Sequence, residues 1–582
     1  MSTRAASVSL VVSSLEYYAT QGVQDYLESS SGKETVESII KDYSDDIYVA
    51  KGTSTSSTSV SAPASATTTS YAKALAIGVN AAVYSAQSVA LGYGAYAGSL
   101  YRYGGTYRNT AVGCGAMAYG GNVFGTRCYA QFDSVSMGVG TYSFGLGNVA
   151  VGNGCVANGE RSIVYGRYCY TDGMYALAVG NHTTATAQGA VALGTNCDVS
   201  GTNSVGVGRN ADTSGTTAVS VGFNTTASGT SSAAIGYGAT ASADSAFAAG
   251  TGATASATYA VAIGGYNTKA SGENSVAIGA SATATGGGAF SVGSSTTASG
   301  DSAFAVGSES QASGDSSFAV GSGTTTSGDN SVAIGSVATA SGDGAIAVGK
   351  SVTANGTYAF AIGNASSAGE NSLAIGASTS ASSGGVALGA SSSASGTFSF
   401  ASVYGANASG SQSVAIGYSA TASATSAISV GYGAKATYNT AVSIGASSAS
   451  SGTYGVAIGS SADADASAVA IGRSATTSSK SISIGYDTYS KGNSVAIGSS
   501  ASAGGTNSVV IGADSSISTS KTAFITNGSD GGFGVFTLDS TPYFFVATTT
   551  TLTSGYCIKL SSLISALEMS SFSVSSSGIT IS

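Results

Sequence analysis

A short motif of the form Ser-Val-Ala-Ile-Gly recurs along most of the chain, and its period limits the available folds more than any other feature. Over residues 138–264 the motif glycine returns every 14 residues, and the same step holds over 279–363. The series starts at Gly78 and Gly92 and ends, after steps of 12 to 16, at Gly512. Fourteen residues with this much glycine and so many β-branched side chains do not suit a helical repeat. They suit two short strands and two tight turns, which is one turn of a β-solenoid.

Positions within the repeat are counted from the motif glycine, which is position zero. Positions −3 and −1 carry branched or aromatic side chains, such as Val276 and Ile278, whereas +3 and +5 carry small ones, such as Ala282 and Ala284. Side chains of a strand alternate between its two faces, so −3 and −1 share one face. We predict that this face points into the solenoid, opposite the small residues of the second strand.

Position −2 would then point outward, yet it holds only Ala, Ser, Gly or Val in every motif. A free surface has no reason to exclude charged or large side chains, whereas a close interface does. The pattern predicts contact with copies of the same chain through this position. The alternative is that a sequence with few charges avoids them everywhere. The predicted interface residues are Ala76, Ala277, Ala305, Ala333 and Ala415.

The repeat itself resembles a known one. Asn-Ser-Val-Ala-Ile-Gly at 274–279 is similar to the head repeat of YadA-like trimeric autotransporter adhesins, and the resemblance covers about residues 71–515. It implies an all-β, left-handed parallel β-roll of about 14-residue rungs, with three chains assembled around an axis into a homotrimer. Phage tail fibres and the fibres of phage-like contractile particles use the same head repeat.

The chain departs from the adhesins at its ends, because it shows neither a convincing secretory signal nor a membrane-anchoring segment of alternating strands. Residues 1–50 carry two helix-capping boxes and predict a short helical segment that attaches to a baseplate or anchoring protein, or only caps the first rung. Residues 51–70 are predicted to be a Ser/Thr-rich linker. Residues 516–582 predict a small C-terminal domain for capping, trimerisation or receptor binding, with β-structure over 521–550 and a short helix over 560–569.

Irregular spacing over residues 93–137 predicts loops that bulge from the roll. Loops on a rigid scaffold commonly carry binding sites, and tyrosine and arginine dominate binding hot spots. We therefore predict a receptor-binding region here, with a glycan as one candidate ligand. The alternative is that these loops seal the first rungs or pack between subunits. The predicted binding residues are Tyr101, Arg102, Tyr103, Tyr107, Arg108, Tyr119, Arg127 and Tyr129.

Composition argues against several classes of function. Charged residues make up 8% of the chain and the net charge is −9, which disfavours a nucleic-acid partner. No apolar run is long enough for a membrane-spanning helix. His182 is the only histidine, so we predict no metal centre, no cofactor and no catalytic site. Cys155 and Cys169 at +3 of adjacent rungs are close enough for a disulfide, but we predict free thiols packed inside, as for Cys197.

Four functions follow in order of preference. The first is a non-catalytic, extracellular, homotrimeric attachment fibre of a phage or phage-like particle, which projects a cell-surface-binding region. The second is a trimeric adhesin of a bacterial surface, or a component of a surface layer or extracellular matrix. The third is an ice-binding solenoid, which is disfavoured because the outward columns of this repeat are less regular than an ice-binding face requires. An enzyme is fourth, because no carboxylate pair has a defensible geometry.

Overall fold

The computed structural model describes residues 49–53, 56–59, 67–68, 75–78, 80–98, 108–518, 520, 522–526, 532–538, 541–547, 556–559, 572–575 and 578–581. The chain divides into two compact units, residues 1–295 and residues 296–582. In both units every described secondary-structure element is a β-strand. The helix predicted for residues 560–569 lies outside the described residues, as does the helical segment predicted for residues 1–50 except for its last two residues, which belong to the strand Val49–Thr53.

Each rung contributes one strand to a first sheet and one to a second sheet. The first-sheet strand runs from −3 to −1, as in Val276–Ile278, and extends to +1 in the rungs of Gly125 to Gly236 and of Gly321 to Gly349. The second-sheet strand covers +4 and +5, as in Thr283–Ala284. It extends to +6 in the rungs of Gly92, Gly113 and Gly125. In the rung of Gly264 it lies one residue later, at Lys269–Ala270. Position zero is occupied by Gly78, Gly92, Gly113, Gly125, Gly138, Gly152, Gly166, Gly180, Gly194, Gly208, Gly222, Gly236, Gly250, Gly264, Gly279 and Gly293 in the first unit, and by Gly307, Gly321, Gly335, Gly349, Gly363, Gly376, Gly389, Val403, Gly417, Gly431, Gly445, Gly459, Gly472, Gly485, Gly498 and Gly512 in the second.

Corresponding strands of successive rungs pair in parallel and in register. Val276 lies opposite Phe290 in the first unit, and Val332 lies opposite Ile346 in the second. Each position lies opposite the same position of the next rung, except that the second-sheet strand at Lys269–Ala270 is offset by one residue, so the residues of one position form a column. Each unit is therefore a parallel β-solenoid, as the repeat predicts.

The interior of the roll holds mainly small side chains, most often alanine and serine. Positions −4, −2, +3 and +5 point inward, and Ser275, Ala277, Ala282 and Ala284 of one rung are all completely buried. Burying one methyl group contributes only about 0.8 kcal/mol, so this core is weak for each rung. The parallel hydrogen bonds between rungs must carry much of the order.

The predicted facing of the first-sheet strand is wrong. Ala76, Ala277, Ala305, Ala333 and Ala415 are fully buried inside their own chain and cannot contact another copy. Positions −3 and −1, which we expected inside, are partly exposed instead. Alternation determines that the two sets lie on opposite faces, but it does not determine which face is covered.

The reason for this arrangement is the short distance between the two sheets. Where Val199 occupies the inward position +5, the neighbouring −2 position is Gly206, and a Cβ added there would lie 2.6 Å from the Val199 Cγ2 atom. One valine is accommodated because the facing residue gives up its methyl group. Branched side chains at both −3 and −1 of every rung would not fit, so they lie outside.

The motif glycines form a column that only glycine can occupy without strain. Gly335 has a φ of 137°, and a Cβ there would lie 2.0 Å from the carbonyl oxygen of Gly349 in the next rung. The same close approach recurs at the neighbouring rungs, so the column brings backbone against backbone. Val403 is the exception, since it takes this position with a φ of 83°, which is strained for a β-branched residue.

Two irregularities in the sequence are explained by this column. Gly125 lies at position zero of a complete rung, so the predicted loop between Gly113 and Gly138 is wrong. This rung is hard to recognise in the sequence, because its Val123 and Phe124 differ from the residues usual at positions −2 and −1. The position-zero residue of this rung is Val403 rather than Gly405, so the two steps before Gly417 are each 14 residues instead of 16 and 12.

Aspartates in the Ser-Gly-Asp turns reinforce the stacking in the second unit. The Asp315 carboxylate accepts a hydrogen bond from the backbone N–H of Asp301 at 2.9 Å, and Asp329 and Asp343 repeat the contact one rung further on each time. Each carboxylate therefore satisfies a turn N–H group of the preceding rung, which is a structural role for this column.

The first rung is covered by an added strand. Val49–Thr53 pairs antiparallel with the first-sheet strand Leu75–Ile77 and with Ser56–Ser59, and Thr67–Thr68 begins the second sheet. The linker predicted over 51–70 is therefore partly wrong, because some of its residues are strands. A strand that runs opposite to the rungs ends the parallel stack and protects its open edge.

The C-terminal end closes with larger side chains. Thr522–Thr526 pairs parallel with the last rung and then continues into the antiparallel strands Gly532–Leu538, Thr541–Ala547 and Tyr556–Lys559, while Phe572–Ser575 and Gly578–Ile581 form a separate hairpin. Val510, Ile517 and Phe524 are buried at positions where earlier rungs have alanine. These side chains close the thin core, and strands are present within the 521–550 range where we predicted them.

Replacing Gly335 by alanine should open the rungs of Gly335 and Gly349. The added Cβ meets a backbone carbonyl that cannot move without breaking the parallel pairing, and overpacking of this kind costs about 1–3 kcal/mol. Hydrogen exchange of the amides in these rungs measures the loss of local stability.

The matched control is Gly238→Asn, because a Cβ at Gly238 has nothing within 4 Å and its φ of 63° suits asparagine. Equal protection from exchange in G335A and in the unsubstituted chain would contradict the steric role of the glycine column.

Candidate binding surfaces

An aromatic patch covers the outer face of the second sheet at the first rungs of the first unit. We call it the aromatic face, and it consists of Tyr84, Tyr96, Tyr119, Tyr129, Tyr142 and Phe144. These residues lie at +4 or +6 of successive rungs, where the pleat directs side chains outward. In later rungs the same columns hold hydroxyl side chains such as Thr226 and Ser228. The aromatic face is therefore a local departure from the repeat.

The rings of the aromatic face form a continuous series of contacts. Ring centroids are 5.2 Å apart for Tyr84 and Tyr96, 4.7 Å for Tyr96 and Tyr119, 5.3 Å for Tyr119 and Tyr129, and 5.2 Å for Tyr129 and Phe144. Neighbouring rings are tilted by 31° to 45°, so parts of the ring faces stay accessible. Tyr142, which stacks on Phe144, is 38% exposed.

Local sequence makes room for these rings. Gly98 lies at +6 beside Tyr96, and a Cβ at Gly98 would lie 2.7 Å from the Tyr96 ring. The Gln131 amide donates a hydrogen bond to the Tyr129 hydroxyl. Burial, followed by the neighbouring tyrosines, raises the pKa of Tyr96 and of Tyr119. The phenols therefore stay protonated at neutral pH and can donate hydrogen bonds to a ligand.

The predicted receptor-binding residues are only partly brought together. Tyr119 and Tyr129 are neighbours in the aromatic face, whereas Arg127 is exposed on the turn that leads from the first sheet to the second. Arg108 lies on the opposite turn, where its Nε donates to the Gln87 Oε1 atom at 2.9 Å. The other predicted binding residues, Tyr101, Arg102, Tyr103 and Tyr107, lie outside the described residues.

Sequence reasoning missed four members of the aromatic face. Tyr84 precedes the irregular segment, Tyr142 and Phe144 follow it, and Tyr96 lies near its start, so each looks like an isolated aromatic residue in the linear sequence. Their common positions +4 and +6 were the available signal. It could be recognised only once Gly125 was assigned to position zero, because that assignment aligns the columns.

A second surface is the outer face of the first sheet. In each unit, positions −3 and −1 form two neighbouring columns of mostly branched aliphatic side chains, with phenylalanine at −3 of some rungs such as those of Phe304 and Phe318, and we call these columns the aliphatic stripe. Ile235 and Ile263 of the first unit are 40% and 37% exposed, and Ile334 and Ile375 of the second are 39% and 37% exposed. A contiguous apolar surface of this kind usually marks an interface.

The cysteines do not form a reactive centre. Cys155, Cys169 and Cys197 point inward, as predicted for position +3, and all three are free thiols. The hydrogen bond with Cys169 and burial raise the pKa of Cys155, and burial raises the pKa of Cys197 to about 11. Both thiols are therefore protonated at neutral pH, and the thiolate is the form that reacts. The hydrogen bond with Cys155 lowers the pKa of Cys169 to about 6, but the Cys169 side chain is buried inside the roll, out of reach of reagents.

Thiol labelling should separate the cysteines of the first unit by burial. At neutral pH we expect iodoacetamide to modify the exposed Cys114 and to leave Cys128, Cys155, Cys169 and Cys197 unmodified until the chain is denatured. Peptide mass spectrometry before and after denaturation measures this. Rapid labelling of Cys155 in the folded chain would contradict the packed interior.

Metal ligands are sparse in the described part of the chain. His182 is exposed, and its Nδ1 atom is 2.6 Å from the Asn181 Oδ1 atom, with no acidic residue beside it in the rung. Among the described residues no group of three or more His, Cys, Asp or Glu side chains could hold a metal ion. The same residues contain no helix with the length and hydropathy needed to cross a membrane.

A family comparison agrees with the rung geometry. The model of the YadA head domain repeat (2 copies) matches residues 72–95, 172–196, 200–225, 227–366, 383–402, 408–434 and 490–515, the longest of these being a run of overlapping matches. This chain is built from YadA head domain repeats. The YadA head matches fall in both units and include rungs whose motif is the plain Ser-Val-Ala-Ile-Gly form. They leave out 96–171, where most of the aromatic face lies. No curated protein sequence matches the chain.

Proposed function

We propose that this chain is a non-catalytic, extracellular attachment fibre that assembles as a homotrimer through the aliphatic stripe and binds a cell surface. The observation that carries the proposal is the combination of YadA head repeats with an apolar column that each chain leaves uncovered. YadA-type heads are structural adhesins built from three chains. The stripe supplies the surface that such an assembly needs, since it recurs at most rungs of each unit.

The aliphatic stripe also explains why the core can be so thin. A rung that buries only alanine and serine gains little hydrophobic stabilisation within one chain. Covering −3 and −1 against other copies would bury a branched side chain at each position, worth about 1.5–3 kcal/mol when complete. Assembly and stability of the roll are therefore proposed to be coupled.

Lysine on the stripe should prevent assembly without unfolding the rung. In the double variant Ile334→Lys and Ile375→Lys, both side chains point outward, so the rungs can form, but charge would be buried between copies. We expect the oligomer to dissociate, as measured by sedimentation or light scattering.

The matched control is Val337→Lys, since Val337 is also exposed but lies on the turn, away from the stripe. An unchanged oligomer in I334K/I375K would contradict the proposed interface. Lysine at Ala277 or Ala305 is not a clean test, because it would be buried inside the roll.

The aromatic face is the proposed contact with the cell surface. Tyrosine rings with accessible faces and neutral hydroxyls combine apolar contact with hydrogen bonding, which suits sugars and protein side chains alike. The four predicted residues at 101–107 belong to the segment between Gly98 and Arg108, and their role in binding remains a prediction.

Restoring the ordinary repeat on this face should remove binding. The variant Tyr119→Ser with Tyr129→Thr installs the residue types that later rungs carry at +6 and +4, so the roll should persist. We expect binding to receptor-bearing cells to fall at least tenfold, as measured by flow cytometry with the labelled chain.

The control is Tyr358→Ser, which replaces an exposed tyrosine of the second unit by a residue type common at its own position −5. Retained binding in Y119S/Y129T would remove the aromatic face from the proposal.

Two carriers, meaning the structure to which the fibre is attached, fit this function: a bacterial cell surface and a phage or phage-like particle. The match to YadA head repeats supports an adhesin on a bacterial surface directly. The fibre of a phage or phage-like particle, preferred on sequence grounds, needs the additional step that the repeat was borrowed. A baseplate or anchoring protein bound by the N-terminal residues remains a prediction. Immunogold labelling of the native assembly distinguishes the carriers.

A further inference from the structure

Arginine is concentrated in one part of an otherwise acidic chain. The net charge is −9, yet six of the eight arginines lie between Arg102 and Arg209. Three of them, Arg127, Arg167 and Arg209, are exposed on the same side of the first unit, on the turns that lead from the first sheet to the second. We call this surface the arginine edge and define it as positions +1 and +2 of the rungs from Gly125 to Gly222.

The arginines are evenly spaced along this edge. Arg167, Asn181, Thr195 and Arg209 lie opposite one another in consecutive parallel strands, so Arg167 and Arg209 are three rungs apart. Arg127 lies three rungs before Arg167. With strands about 4.8 Å apart, the positive charges follow one another at about 14 Å.

Aromatic and amide groups fill the positions between the charges. The Arg167 guanidinium carbon is 5.0 Å from the centroid of the Tyr168 ring, and that of Arg209 is 5.2 Å from the centroid of the Phe223 ring. The His182 ring also lies 5.0 Å from the Tyr168 ring. Stacking on a ring holds each guanidinium in place while its edge stays available for a bidentate contact with a carboxylate.

No acidic residue lies on the arginine edge. The acidic side chains between the first and last of these rungs, such as Asp133, Glu160 and Asp198, lie on the second sheet or on the opposite turn. The edge therefore presents a one-sided field that favours an anionic partner. A second copy of the chain fits it poorly, because the opposite turn carries Arg108 and Arg161 as well as Asp133 and Glu160.

The distance between successive arginines indicates which class of anionic ligand fits the arginine edge. A nucleic acid carries one phosphate about every 3.4 Å along each strand, so an arginine every 14 Å would leave most phosphates unpaired. The negative net charge of the chain would repel such a dense polyanion. A polysaccharide with carboxylates separated by several sugar units matches the sparse arginines, and the rings of Tyr168 and Phe223 can contact its sugar faces.

We propose that the arginine edge binds a uronic-acid-containing polysaccharide laid along the rungs, with carboxylates on Arg127, Arg167 and Arg209. This inference rests on the proposed function, because it gives the fibre a second contact with a cell surface, separate from the aromatic face. It names the chemistry of the ligand, a carboxylated sugar polymer, and the three side chains that read its charge.

The test compares the full-length chain with the double variant Arg167→Gln and Arg209→Gln in binding to immobilised deacylated gellan, whose repeat of several sugars carries a single glucuronate, and to the same gellan after carboxyl reduction. We expect the unsubstituted chain to bind gellan, to lose that binding when the carboxyls are reduced, and to bind more weakly as salt is added. R167Q/R209Q should bind gellan at least tenfold less. The matched control is Arg473→Gln, because Arg473 also occupies position +1 and lies over a ring, that of Tyr486 at 4.4 Å, but lies in the second unit.

Four results would overturn the inference. They are equal binding of native and reduced gellan, equal binding by R167Q/R209Q and the unsubstituted chain, tighter binding to an oligodeoxythymidylate than to gellan, and a changed oligomeric state of R167Q/R209Q in light scattering, which would make the edge a contact between copies. Failure of the proposed function is distinguishable, since a chain that does not bind gellan but still binds cells through the aromatic face keeps that function and loses only this edge.

Discussion

The close approach of the two sheets is the constraint on which the rest of this molecule depends. A Cβ atom on a motif glycine would collide with the backbone of the next rung, and the facing strands of the two sheets leave room inside mainly for side chains such as alanine and serine. Large side chains are therefore kept out of the interior until the last rungs, where Ile517 and Phe524 close the core. The usual expectation that branched aliphatic residues form the core does not hold here, because the geometry of the rung is set by backbone contacts.

This constraint separates the roles of the surfaces. Inward positions vary little in size, and at Val199 an enlargement is offset by the loss of a methyl group at Gly206. Outward positions are free to vary without disturbing the stack. The aliphatic stripe, the aromatic face and the arginine edge are three different uses of that freedom, on the first sheet, the second sheet and one of the turns.

Much of the architecture was predictable from the sequence, because the period and the alternation are local properties. The inward facing of Cys155 and Cys197, the parallel rungs and the strands near Phe524 agree with the prediction. The facing of Ala277 was predicted wrongly, since alternation leaves two choices and only the separation of the sheets selects one. The rung of Gly125 was missed because Val123 and Phe124 obscure its motif.

The sequence by itself determined the repeat, the family, the pairing of small with large columns and the concentration of tyrosine and arginine near one end. Only the tertiary structure decided which column is buried, that Val403 takes the place of a glycine, and which aromatic residues meet on one face. The physical reason is that the repeat and the alternation of side chains depend only on residues close together in the sequence. Burial depends instead on the distance between the two strands of a rung once the chain has turned back on itself. That distance is a property of the stacked backbone and cannot be read from any single rung.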